Sequence, residues 1–149
     1  MSIFELDLRL GEYDTQTNIK IPFEIKNKYS ELIIHFSYNP DKSKDDVARR
    51  QVEDALRKYD QADFASAKRL AYDHLPIDNL ITLSLSKNGK YLGAHHNKSN
   101  DQEITINNET ASFGFWPVEV EPADWELQLN CHCIASKEVA ANIRIEAIK

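Results

Sequence analysis

Trp125-Glu-Leu-Gln-Leu-Asn-Cys-His-Cys133 alternates apolar and polar residues along its whole length. Successive side chains of a β-strand point to opposite faces, so this stretch predicts a strand with one buried and one solvent-facing side. The apolar side carries Trp125, Leu127, Leu129, Cys131 and Cys133. The polar side carries Glu126, Gln128, Asn130 and His132. A strand of this kind packs on a second layer, so the stretch favours a layered β fold.

The same period of two occurs in residues 4–10, 19–25 and 139–147. Pro22 interrupts the second of these stretches and predicts an edge strand, because proline cannot donate a ladder hydrogen bond. Residues 31–38 and 80–86 are apolar on both faces, which is typical of central strands. Asn88-Gly89 then predicts a tight hairpin turn before Tyr91, since both turn residues accept positive φ.

Shorter strands are predicted over residues 103–106 and, after an interruption at Gly114 to Pro117, over residues 118–120. The total is about eight strands separated by turn signals. This count predicts a mainly β, antiparallel two-sheet sandwich, jelly-roll-like, in a single domain spanning residues 1–149.

The segment 41–76 breaks the β pattern and predicts an α-helical hairpin insertion. Ser43 followed by Asp46 predicts a capping box at the start of its first helix. Val52 and Leu56 share one face of that helix, and a second helix is expected over residues 63–73. The hairpin is expected to cap an open end or one face of the sandwich.

Composition narrows the class of protein. The chain has 149 residues, of which 42% are hydrophobic and 28% charged, as in ordinary globular domains. The net charge of −6 opposes binding to nucleic acid or to anionic membranes. Residues 1–7 contain no basic leader, and no stretch has the roughly 18 apolar residues of a membrane span. The sequence therefore predicts a cytoplasmic protein that binds neither nucleic acid nor membrane.

Two residue types invite a chemical interpretation. Five histidines raise the question of a metal site built from His95 or His96 with Asp101 or Glu103. Exposed or core-edge histidines are the favoured interpretation, so we predict no metal and no cofactor. Cys131 and Cys133 share the apolar face of one strand, which favours buried free thiols over a zinc or catalytic pair.

Aromatic residues mark the candidate ligand or interface site. Phe115 and Trp116 lie beside Gly114 and Pro117, where they could line a binding surface, although core packing is the more common use of such residues. Together with residues from the return strand of the hairpin, the candidate site is Tyr91, His95, His96, Phe115 and Trp116.

Four stretches resemble the amino-terminal β-sandwich region of bacterial metallohydrolases of the PHP superfamily, the group of carbaryl-hydrolase-like proteins. They are Leu32-Ile-Ile-His-Phe-Ser-Tyr38, Asp78-Asn-Leu-Ile-Thr-Leu-Ser-Leu85, Gly89-Lys-Tyr-Leu-Gly-Ala-His95 and Glu109-Thr-Ala-Ser-Phe-Gly-Phe-Trp-Pro117. The resemblance implies a sandwich fold without catalytic residues, because the family's metal ligands lie in a separate, following domain. The histidine pair separated by one residue that usually opens that metal site does not occur here.

The sequence favours a non-catalytic binding or assembly module of the kind that accompanies such a metallohydrolase, and not an enzyme. A metal-dependent hydrolase, or a subunit of one, is the alternative. The expected partners are a metallohydrolase subunit or a second copy of the chain that associates through the insertion 41–76.

Overall fold

A computed structural model of the chain describes residues 1–95 and 99–149. Across this part of the chain, two four-stranded antiparallel sheets form a sandwich. In spatial order, sheet A contains β1 (Ser2–Leu10), β10 (Val139–Ile148), β3 (Glu31–Asn39) and β8 (Asp101–Asn107). Sheet B contains β2 (Thr17–Glu24), β9 (Asp124–Cys133), β6 (Leu80–Lys87) and β7 (Lys90–His95). Two short strands, β4 (Lys42–Ser43) and β5 (Ile77–Asp78), form a separate ribbon.

The connectivity is that of a jelly roll. The chain crosses from one sheet to the other between consecutive sandwich strands, except at the hairpin that joins β6 to β7. The strands therefore interleave, and the first and last strands of the chain lie side by side in sheet A. The predicted jelly-roll-like β-sandwich with a helical insertion is confirmed.

The core lies between the sheets, where the predicted apolar faces meet. Leu127 and Leu129 of β9 and Ile34 and Phe36 of β3 have almost no exposed surface. Burial of each such side chain stabilises the fold by roughly 1.5–3 kcal/mol. The alternating residues of β9 and β10 thus hold the two layers together.

Strand positions follow the sequence signals. The strand that contains Pro22 is an edge strand of sheet B, and both apolar runs became central strands, β3 and β6. Asn88 and Gly89 have φ values of 51° and 76°, which are the positive values expected of the hairpin turn. These three predictions are confirmed.

The predicted strand over residues 118–120 is wrong. Residues 108–123 cross from sheet A to sheet B, and Val120 makes only an isolated bridge with Tyr29. Pro117 and Pro122 flank this stretch and have no N–H group, so neither can donate a ladder hydrogen bond that would extend the single bridge at Val120.

The insertion forms two helices, α1 (Asp46–Tyr59) and α2 (Phe64–Ala71), followed by a 3-10 turn (Tyr72–His74). It lies at the end of the sandwich, where Gln51 Nε2 donates to the Ile134 carbonyl at 2.8 Å. No helix in residues 1–95 or 99–149 is long and apolar enough to cross a membrane.

The start of α1 differs from the prediction. Asp45, not Ser43, is the N-cap, and Asp45 Oδ1 accepts hydrogen bonds from the Val47 and Ala48 backbone N–H groups. Ser43 is instead buried in the short ribbon, where its hydroxyl accepts from the Asp45 N–H at 3.4 Å. The extended backbone of β4 keeps Ser43 two residues outside the helix.

Candidate binding face

The structure separates the residues of the predicted site. Tyr91 and Trp116 are 59% and 72% exposed, respectively, whereas Phe115 is buried in the core. His95 is half-buried at the end of β7. His96 lies outside the described residues.

His95 belongs to the interior side of sheet B because it pairs with Leu83, a core residue of β6. Its Nδ1 atom lies 3.0 Å from Oε1 of Gln102, which is buried on β8. The His95 ring also lies 6.4 Å from the Phe115 ring, measured between centroids. His95 therefore closes the sandwich at this point instead of facing solvent.

Of the metal ligands considered from the sequence, His95, Asp101 and Glu103 lie in the described part of the chain and His96 does not. Glu103 lies near His35, with 3.9 Å between Glu103 Oε2 and His35 Nδ1, and not near His95. Within residues 1–95 and 99–149, no three His, Cys, Asp or Glu side chains lie close enough together to hold an ion.

Trp116 reaches sheet B through a short pairing of its segment with the edge of β7. The Ala94 N–H donates to the Gly114 carbonyl at 3.2 Å, and the Trp116 N–H donates to the Leu92 carbonyl at 2.8 Å. Gly93 and Phe115 form the bridge between these two bonds. The segment 114–116 thus extends sheet B by a fragment of a fifth strand and places the Trp116 indole beside the sheet.

The outward residues of sheet B form cross-strand rows, which together we call the polar face. The first row is Pro22, Glu126, Ser86 and Tyr91. The second row is Lys20, Gln128, Ser84 and Ala94. The third row contains Asn18, Asn130 and Thr82. Since neighbouring strands are about 4.8 Å apart, the first row spans about 14 Å.

A groove of about 1060 Å³ opens on the polar face near the β6–β7 hairpin. Its lining includes Lys20, Pro22, Ser86, Glu126 and Gln128. All five belong to the first two rows. Tyr91 pairs across the sheet with Ser86, a lining residue, so Tyr91 neighbours the groove, whereas Tyr91 and Trp116 are not themselves among its lining residues.

Hydrogen bonds join the side chains of the polar face into a ladder. Gln128 Nε2 donates to Asn130 Oδ1 at 2.7 Å, and Asn130 Nδ2 donates to Thr82 Oγ1 at 3.3 Å. Thr82 Oγ1 lies 2.8 Å from His132 Nε2. His132 Nε2 accepts from the Thr82 hydroxyl in the tautomer that carries its proton on Nδ1, and donates to it in the other tautomer. The ladder orients these side chains before any ligand arrives.

The charged residues that line the groove are mostly acidic. Its lining contains one cation, Lys20, and three carboxylates, Glu24, Asp124 and Glu126. Phosphate groups are held mainly by clustered lysine and arginine residues. Lys20 is the single lysine or arginine among the lining residues of the groove, so the lining itself has no such cluster.

The polar face was visible in the sequence only in part. The alternation of β9 places Glu126, Gln128 and Asn130 on one side, but a strand with an outward polar side is ordinary. Ser86 and Lys20 are far apart in sequence and become neighbours of β9 only through strand register. No local signal assigns that register, so the site was missed.

The cysteines do not add a reactive centre. Burial, together with the negative charge of Asp14, raises the pKa of Cys131 to about 11. Burial and then Asp78 also raise the pKa of Cys133, whose thiol donates to Gln51 Oε1 at 3.4 Å. Both cysteines are free. The predicted buried thiol is confirmed for Cys131, while Cys133 is half-buried.

A second, apolar groove of about 490 Å³ lies on the insertion and is lined by Val52, Leu56, Tyr59, Ile77 and Cys133, among others. It includes the apolar face predicted for the first helix. Self-association through the insertion stays a prediction.

No protein-family model and no curated protein matches the chain. Among solved structures, a crystal structure of a protein from Sulfurospirillum deleyianum matches 96% of this chain and 98% of its own chain. The two sequences are 12% identical, and the TM-score is 0.39.

Proposed function

We propose that the protein is a non-catalytic binding module whose ligand contacts the polar face of sheet B. The observation that carries this proposal is the groove on that face together with the ordered ladder from Gln128 to His132. Binding sites combine a concave surface with a few polar groups in set positions. The ladder supplies such groups, and a prearranged site loses less conformational entropy on binding.

The exposed aromatic residues support the same face. Tyr91 and Trp116 keep most of their surface in solvent although both lie beside a sheet. Aromatic side chains are enriched at binding surfaces because they offer a large contact area and lose little conformational freedom. Tyr91 and Trp116, which we call the aromatic margin, and the polar groove are therefore assigned to one site.

The resemblance to the sandwich region of PHP-superfamily metallohydrolases supports an accessory role for this module. In that role, the polar face would recognise a ligand and a metallohydrolase subunit would carry out the chemistry. The module itself then needs no metal, and its ligand binding should be independent of added divalent ions.

The first test is a thermal-shift screen of untagged protein against neutral sugars, nucleotides, peptides and divalent metals. A ligand that binds only the folded state raises the melting temperature. The shift should be lost in Gln128→Ala and Trp116→Ala. It should be retained in two controls away from the polar face, Thr105→Ala on sheet A and Tyr13→Ala, which removes a 93% exposed aromatic ring.

Two results would contradict the proposal. Equal loss of the shift in the polar-face variants and the controls would place the ligand elsewhere. Stoichiometric zinc, manganese or iron in the purified protein would instead support a metal-dependent hydrolase or a subunit of one.

A further inference from the structure

We infer that the ligand of the polar face is a neutral carbohydrate chain, an inference that rests on the binding function proposed above. It adds the chemical class of the ligand, which follows from three properties of the face: its hydrogen-bonding groups, its aromatic margin and its charge.

The hydrogen-bonding groups suit vicinal hydroxyls. A sugar hydroxyl both donates and accepts, so it is matched by side chains that offer both functions or by carboxylates that accept two donors. Gln128 and Asn130 provide amides, Ser86 provides a hydroxyl, and Glu126 provides a carboxylate, all on adjacent outward positions of β9 and β6. The pairing of Ser86 with Glu126 puts a hydroxyl and a carboxylate side by side in the first row.

The aromatic margin suits the apolar side of a sugar ring. A pyranose presents a face of C–H groups, which packs favourably against the negative face of an aromatic ring. Trp116 lies opposite Leu92, and Tyr91 lies next to Leu92 along β7. Both exposed rings are thus carried by the β7 edge of sheet B: Tyr91 shares the first row with the groove residue Ser86, and Trp116 lies one strand farther out.

The charge of the groove decides between kinds of sugar. The groove lining holds one lysine, Lys20, and three carboxylates, so phosphorylated, sulfated or uronic acid chains would be repelled. A neutral oligosaccharide is not repelled by the carboxylates. The open groove leaves room for the ends of the oligosaccharide to continue past the sheet. An enclosed pocket would instead fit a single sugar.

The test is a titration of ¹⁵N-labelled full-length chain with neutral oligosaccharides built from glucose, xylose, mannose or N-acetylglucosamine, with heparin oligosaccharides as the anionic arm. We expect at least one neutral chain to shift the amide signals of β6, β7 and β9, and heparin to leave them unchanged. Gln128→Ala and Trp116→Ala should each weaken binding by about tenfold, because Gln128 lines the groove and Trp116 offers a large exposed contact area. Tyr13→Ala should leave the affinity unchanged.

The possible failures are distinguishable. If none of the neutral chains shifts any signal at millimolar concentration, the carbohydrate inference is overturned. If a peptide, nucleotide or heparin shifts the β6 and β9 signals instead, the inference also falls, but the proposed binding face stands. If a neutral chain binds and the shifts map to α1 and α2, the proposed face itself is wrong.

Discussion

Gly93 and Gly114 lie so close across the edge of β7 that a Cβ atom on Gly93 would overlap the Gly114 carbonyl oxygen and come within 2.8 Å of Phe115 Cα. Both glycines have positive φ, 137° at Gly93 and 94° at Gly114, which residues with a side chain rarely adopt. This close approach allows the segment 114–116 to pair with β7. The position of Trp116 therefore depends on two residues that have no side chain.

Gly93→Ala should detach the segment 114–116 from sheet B. The added methyl group has to displace backbone, so we expect the free energy of unfolding to fall by about 2–4 kcal/mol. Chemical denaturation followed by circular dichroism measures the loss. Gly11→Ala is the matched control, because a Cβ there would meet its nearest atom at 3.7 Å and φ is not positive. Equal stability of the two variants would show that the close approach is not needed.

Thr82→Val should break the ladder of the polar face while keeping the shape of the side chain. Thr82 is 3% exposed, and its loss leaves Asn130 Nδ2 and His132 Nε2 without their partner. We expect a loss of about 1–2 kcal/mol in the free energy of unfolding. Thr105→Val, on the outer face of sheet A, should change it by no more than about 0.5 kcal/mol. If the Thr82→Val protein were as stable as the control, the hydrogen bonds of the ladder would not stabilise the fold.

Asp45→Ala should loosen the insertion from the sandwich. Asp45 Oδ1 caps α1, while Oδ2 accepts a hydrogen bond from the Lys137 N–H of the β9–β10 connection at 3.0 Å. Losing both functions should cost about 1–3 kcal/mol in the free energy of unfolding. Asp63→Ala removes a carboxylate that caps only α2 and should cost less. Urea denaturation at neutral pH compares them, and the reverse order would contradict this arrangement.

The Asp45 carboxylate should make the free energy of unfolding depend on pH in the acidic range. Burial by itself raises the pKa of Asp45, but hydrogen bonds from Lys137, Ala48 and Val47 N–H groups outweigh it and hold the pKa below its usual 3.8. The stabilisation is thus present above pH 3.8 and declines as the pH falls through the lower, folded value. The difference in stability between wild type and Asp45→Ala should shrink as the pH falls below 3.8. A constant difference down to pH 2 would contradict the shift.

Cys131 should resist alkylation, and ionisation of its thiol in alkali should lower the free energy of unfolding. Its pKa of about 11 lies above the usual 9.0, because burial disfavours the thiolate. The stabilisation linked to the neutral thiol is therefore present below pH 9 and is lost as the pH rises towards 11. Denaturation curves recorded at pH 8, 9 and 10 should show this decline in wild type and a weaker one in Cys131→Ala. Rapid reaction of Cys131 with iodoacetamide in folded protein at pH 8 would contradict its burial.

Much of the fold was predictable because its signals are local. Pro22 identified an edge strand by its missing N–H, and the Asn88-Gly89 turn identified a hairpin by its tolerance of positive φ. The predicted strand over residues 118–120 failed for the opposite reason. Its apolar residues resemble a strand, yet only tertiary pairing decides whether a partner lies beside them, and Val120 meets one residue, Tyr29.

The candidate site was predictable to a smaller extent. Tyr91 and Trp116 were selected as aromatic residues beside turn signals, and both are exposed at the edge of sheet B. Phe115 was selected by the same reasoning and His95 as a histidine on the return strand of the hairpin, yet both face the interior. Sequence position alone cannot separate the exposed residues, Tyr91 and Trp116, from those that face the interior, because burial at the edge of a sandwich depends on which chain segment covers the edge.

By itself, the sequence determined the eight long strands of the sandwich, their apolar faces and the approximate position of the helical insertion, because side-chain alternation and turn propensities act between near neighbours. Only the tertiary structure decided that Lys20, Gln128 and Ser84 share a row, that Asp45 accepts a hydrogen bond from the Lys137 N–H and that Trp116 joins sheet B. Those relationships depend on hydrogen-bond register and backbone contact between segments distant in the chain. They form only when the two sheets close on a common core.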